Sequence, residues 1–179
     1  ENRLSKAKLE KLYRCFLEAK WLSNAVIASE TLTLEDTSSV QIKVKDSFEV
    51  RPINMLSAQM KQSVVDSVKT NVSNLSKAKK KGLKVGRLQF KSECNRINLK
   101  QFGQTYDIKS KNKIRVQNIG ILVVNGLEQI NLDEVEFANA KLIKKSSGFY
   151  IHLIVYTKKQ PQSEISRFRH GNQRPVNIL

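Results

Sequence analysis

Apolar residues fall at Leu9, Leu12, Tyr13, Phe16 and Leu17, and then at Trp21, Leu22, Val26 and Ile27. Steps of three and four predict one helix from Ser5 to about Ser29, with a face that drifts around the axis. Ser5 suits its N-cap. Tyr13, Phe16 and Trp21 share this spacing with leucines, so they read as core aromatics and not as base-stacking groups. A polar segment from Glu30 to Ser39 follows. Val40, Ile42 and Val44 then alternate with Gln41, Lys43 and Lys45, the period of a half-buried strand. Phe48 and Val50 suit a returning strand that Pro52 closes.

The chain is organised around Leu56–Lys91. Leu56, Met60, Val64, Val68, Val72 and Leu75 line one face of a second helix, with Val65 beside them. Ser57 suits its N-cap, and Lys79, Lys80, Lys81 and Gly82 give a cationic last turn and a permissive residue beyond it.

From Asn95 to Tyr156 the period changes to two. Ile97 and Leu99, Tyr106 and Ile108, Ile114 and Val116, and Ile121 to Val124 read as short strands. Ser110–Asn112 and Ser146–Gly148 suit hairpin connections, the second joining Ala138–Ile143 to Phe149–Tyr156, and Asn125-Gly126 suits a tight two-residue turn. The expected fold class is α+β, with helices followed by an antiparallel barrel or strongly bent sheet. The expected division is a helical part with a hairpin insertion over residues 1–93, a β-barrel over 94–159, and a basic polar tail or linker over 160–179.

Charge sharpens this picture. The 179 residues carry 32 Lys and Arg against 16 Asp and Glu, a net charge of +16. Between Asp66 and Glu93 there is no acidic residue, while Lys69, Lys77, Lys79, Lys80, Lys81, Lys84, Arg87 and Lys91 place eight positive charges in that interval. A polyanion is the expected partner, and nucleic acid fits better than membrane. No uncharged apolar run approaches the roughly 20 residues of a span, no secretory signal opens the chain, and the basic segment lacks an aromatic-rich opposite face. These eight cations, with Arg96 and Lys100, are the candidate phosphate contacts. Gln59, Lys61 and Gln62, on the polar face of the second helix, are the candidates for reading bases.

Catalytic chemistry is not visible in the pattern. His152 and His170 have no spaced partners, Gly82 and Gly86 lack the context of a phosphate loop, and the acidic residues are scattered. Cys15 and Cys94 have no CxxC or nearby His and read as two buried free thiols. No metal or other cofactor is expected of this chain.

Four stretches carry a family resemblance: LEKLYRCFLEAKWLSNAVI (Leu9–Ile27), LSAQMKQSVVDSVKTNVSNLSKAKKKGLKVGRLQFKSE (Leu56–Glu93), INLKQFGQTYDI (Ile97–Ile108) and FANAKLIKKSSGFYIHLIVYTKK (Phe137–Lys159). In order and in register from about Leu4 to Lys159, they resemble the N-terminal half of TnpB-type proteins. These are transposon-encoded RNA-guided DNA endonucleases related to miniature type V CRISPR effectors. The resemblance implies a helical recognition lobe and an oligonucleotide-binding-like wedge barrel that hold guide RNA, double-stranded target DNA and the short motif flanking the target. It also implies a prokaryotic cytosolic or nucleoid location. In the family a short wedge strand precedes the first helix. Beyond Tyr156 the family continues into a RuvC nuclease with catalytic carboxylates and a four-cysteine zinc ribbon. Gln160–Leu179, QPQSEISRFRHGNQRPVNIL, does not match that continuation. The expectation is therefore a guide-RNA and target-DNA binding portion without the nuclease half, Mg2+ entering only if that half is supplied elsewhere. The alternative is a structural RNA-binding protein of ribosomal type with no DNA target.

Overall fold

The computed structural model describes residues 4–157 and the backbone of 173–178. The fold is mixed α+β. Its elements run α1 (Lys6–Ala28), β1 (Ser39–Val44), β2 (Ser47–Pro52), α2 (Ala58–Lys80), β3 (Arg96–Leu99), β4 (Tyr106–Ser110), β5 (Lys113–Val116), β6 (Gly120–Asn125), a 3-10 turn (Leu127–Gln129), β7 (Val135–Lys145), β8 (Gly148–Thr157) and β9 (Gln173–Ile178). Two compact units result, one of Glu10–Ile97 and one of Asn98–Leu179 with Glu1–Leu9.

In the helical unit, the three-and-four spacing buries Leu12, Phe16, Ala19, Leu22 and Val26 of α1 with Cys15. Trp21 is only half-buried and Tyr13 is 50% exposed, so of the three aromatics read as core Phe16 alone is fully inside. From α2 come Met60, Val64, Val65 and Val68, and from the segment before it Ile53 and Leu56. Ser57 caps α2 by accepting the Met60 amide at 3.4 Å. At the other end the Gly82 amide donates to Lys79 O (3.0 Å) and the Leu83 amide to Ala78 O (3.1 Å). These are the paired bonds of a Schellman motif, with Gly82 at φ 74° supplying the left-handed residue.

The two-stranded β1-β2 sheet is antiparallel, pairing Val40 with Arg51, Ile42 with Glu49 and Lys43 with Phe48. Val40 is buried, whereas Phe48 and Val50, on the opposite face of β2, are 70% and 65% exposed. The returning strand is therefore present but its apolar face is not core.

The other strands follow the order β3-β7-β8-β9-β6-β5-β4. Alternation turns Ile97, Leu99, Tyr106, Ile114, Val116, Leu122, Val124, Leu142, Ile151 and Leu153 to the buried side, as period two requires of a one-sided sheet. β7 loses register between Phe137 and Ala140, a bulge that bends the strand. Ala138 lies in that bulge, and its carbonyl accepts the Tyr106 hydroxyl at 2.6 Å. Burial pushes the Tyr106 phenol well above its usual range. Phe102 stacks on Phe137 with centroids 4.9 Å apart and meets Tyr106 edge-on at 5.4 Å. Thus β4 approaches β7 through side chains, while no backbone ladder joins them among the described residues. The sheet curls enough for β4 and β7, far apart in its order, to meet, and among the described residues its ladder is not closed into a barrel.

Two expectations require correction. Part of the expected polar tail is β9, which pairs with β8 from Gln173 to Ile178 and with β6 at Asn177 and Ile178. Backbone bonding on both sides holds this strand. Pro175 lies where β6 pairing has not begun, so its missing N–H costs no bond on that side. Residues 160–172 of the expected tail, with His170, lie outside the described residues. The second correction is Asn125-Gly126, which makes no hairpin. Gly126, at φ 92°, starts the 3-10 turn, and β6 pairs with β5 and β9 and not with the strand that follows it.

Candidate nucleic-acid interface

α2 divides at Val68. Its first three turns place Met60, Val64, Val65 and Val68 inside, and no residue from Lys69 to Lys80 is buried. Val72 and Leu75 are half-buried, so the apolar stripe continues in sequence after deep burial has stopped. Lys69, Lys77, Lys79 and Lys80 are exposed on this second half, and Lys81, Lys84 and Arg87 are exposed just beyond it. Among the described residues none of these seven has an ion-pair partner. The last-turn lysines face the negative end of the helix dipole, which favours them individually, while their mutual repulsion favours an added anion.

After Gly82 the chain runs to Asn95 without helix or strand, and one side chain of α1 fixes it. Asn24 accepts the Lys91 amide at 2.8 Å and donates to the Lys91 carbonyl at 3.0 Å. The Lys91 ammonium lies 3.4 Å from the hydroxyl of buried Ser23. Lys91 is half-buried and anchors the strap, unlike the freely exposed cations before it. Arg96 is exposed at the start of β3, and Lys100 is half-buried just after that strand, its carbonyl accepting the Thr105 hydroxyl.

The proposed base readers are less open than a helical wheel implies. Gln62 is exposed, and its side-chain amide donates to Asp66 at 2.9 Å, four residues on. Gln59 and Lys61 are half-buried. The Asp36 carboxyl is held below the usual carboxylate range, chiefly by the Ser38 hydroxyl and amide, with a smaller contribution from Lys61.

Sequence reasoning missed a buried polar group in the helical unit. Glu18 is 1% exposed. One carboxylate oxygen accepts from Arg14 Nε at 2.9 Å, and the other accepts the amides of Met55 at 2.7 Å and Leu56 at 3.3 Å. Arg14 also lies over the Trp21 ring, 4.7 Å from its centroid. This network ties the start of α2 to α1. The i,i+4 spacing of Arg14 and Glu18 was visible, but nothing local marked the carboxylate for burial. Cys15 and Cys94 are both buried and free. Burial pushes the Cys15 thiol up to about 12, with smaller contributions from Glu18 and Cys94.

Among the described residues, no group of three His, Cys, Asp or Glu side chains is placed to hold a metal ion, and no helix is long and apolar enough to cross a membrane. No family model, curated protein or solved structure matches the chain.

Proposed function

We propose that the chain is the guide-RNA and target-DNA binding portion of a TnpB-like RNA-guided endonuclease system. The observation that carries this reading is the set of seven exposed cations, without ion-pair partners among the described residues, on the second half of α2 and the strap that follows. Such cations neutralise phosphates without reading sequence. The resemblance of the four stretches quoted above supplies the identity of the nucleic acids. It assigns the helical unit to a recognition lobe and the bent sheet to an oligonucleotide-binding-like wedge. Gln59, Lys61 and Gln62 are then the groups that meet the target-flanking motif, once Gln62 exchanges Asp66 for a base edge. The reading gives this chain no catalytic residue. Cleavage belongs to a nuclease half, with Mg2+ supplied there.

The test is to sequence the RNA that copurifies with the chain and to measure DNA binding with and without it. RNA-dependent binding to DNA bearing one flanking motif is the expected result. Tight binding to structured RNA with no DNA target at any guide sequence would replace this reading by the ribosomal-type alternative.

A further inference from the structure

The strap from Gly82 to Asn95 turns its apolar residues in opposite senses. Val85 and Leu88 are half-buried and Cys94 is buried, while Leu83 and the larger Phe90 are 60% and 66% exposed. Exposed phenylalanine on a wandering loop would carry no information. Here the next residue is clamped, because Asn24 holds both the amide and the carbonyl of Lys91 at 2.8 and 3.0 Å. The ring is thus presented on fixed backbone within the helical unit. No ring or cation covers it among the described residues. Exposed Lys84 and Arg87 precede it, and no carboxylate occurs between Asp66 and Glu93.

We propose that Phe90 is a stacking platform for an unpaired base, with Lys84 and Arg87 holding phosphates of the same strand, so that the strap takes single-stranded nucleic acid. A phenyl ring has no donor or acceptor with which to read a groove edge. What it offers is a π-face, and bases inside a duplex already cover both of theirs with each other. An unstacked base has a free face, and flanking cations supply the attraction to its backbone. A protein partner is disfavoured because two apolar side chains, Leu83 and Phe90, set among unpaired cations give it little apolar area. The platform is tolerant of sequence, since every base has a face to stack. The inference rests on the nucleic-acid reading above and specifies the strand form that this segment holds.

The test uses the full chain and three fluorescent probes of about 12 nucleotides, within the site size of such surfaces: an oligouridine strand, an abasic strand of equal charge, and a duplex. Phe90→Ala is expected to weaken oligouridine binding about tenfold or more while leaving the abasic strand, the duplex and the salt slope unchanged. Phe90→Trp should keep the affinity, and its fluorescence should be quenched by oligouridine but not by the abasic strand. Phe90→Leu should behave as Phe90→Ala, which separates a stacking ring from mere apolar contact. Equal losses on the oligouridine and abasic strands, or no loss on either, would overturn the platform alone. Failure of the wild-type chain to bind any of the three probes would overturn the nucleic-acid reading with it.

Discussion

The two halves of α2 belong to one continuous helix and live in different environments. Ala58–Val68 supplies Met60, Val64, Val65 and Val68 to the core of the helical unit, behind a loop whose amides are held by buried Glu18. Lys69–Lys80 buries nothing fully and carries four exposed lysines. A helix needs packing or favourable ends to persist in water. The first half has packing, and the second has the Schellman closure at Gly82 and cations at its negative end. The difference teaches where function can be placed. Charge can accumulate on the second half because few core contacts depend on the identity of its residues.

That division predicts a steep contrast in stability. Glu18→Ala removes the acceptor for two backbone amides and leaves Arg14 without its carboxylate, so thermal or urea unfolding should show a loss of about 3 kcal/mol. If the loss is under about 1 kcal/mol, water replaces the carboxylate at small cost and the first half of α2 is not held from α1. One turn of helix should then resolve the boundary. Val68→Ala, at a site 1% exposed, should cost about 2 kcal/mol, and Val72→Ala, four residues later and half-buried, less than about 1 kcal/mol. Equal costs would erase the division at Val68.

On the second half the measurable quantity is salt dependence. Replacing Lys79, Lys80, Lys81 and Lys84 together by Gln should flatten the slope of log affinity against log salt by about three to four units if each contacts a duplex phosphate, at roughly 0.9 per contact. Stability should change by less than about 0.5 kcal/mol, as for exposed positions generally. An unchanged slope in a binding-competent chain would remove this segment from the interface.

Much of this contrast was legible in the residues. The period of α2, its Ser57 cap and its Lys-Lys-Lys-Gly ending are local properties, and local properties fix where a helix starts and stops. The same holds for the alternating strands from Ile97 to Leu153, whose inward positions follow from period two. What could not be read was decided by distant partners. Val72 and Leu75 continue the stripe, but the chain that would cover them is not coded beside them. Lys91 looks like its neighbours until Asn24, 67 residues away, takes its backbone. β9 contains Arg174 and Pro175, a composition that suits linkers, and becomes a strand through its bonds to β8 and β6. Glu18 falls in the same class, since a carboxylate among leucines gives no sign of amides arriving from beyond β2.

The smallest effect tests whether the two halves unfold together. Gly82 adopts φ +74°, and a Cβ placed there meets nothing within 4 Å, so Gly82→Ala would meet conformational strain and no clash. Left-handed backbone costs a non-glycine residue about 1–2 kcal/mol. If the second half of α2 were locked to the core, that whole amount would appear in global stability. The last turn can instead fray and release the strain, because Lys77, Lys79, Lys80 and Lys81 are all exposed and only the bonds of the Lys81, Gly82 and Leu83 amides to Lys77 O, Ala78 O and Lys79 O are lost. Global unfolding should therefore shift by less than about 0.5 kcal/mol, while hydrogen-exchange protection falls at Lys81, Gly82 and Leu83 and stays unchanged at Val64 and Val68. A full 1 kcal/mol loss in global stability would mean that the cationic half is bound into the same cooperative unit as the core.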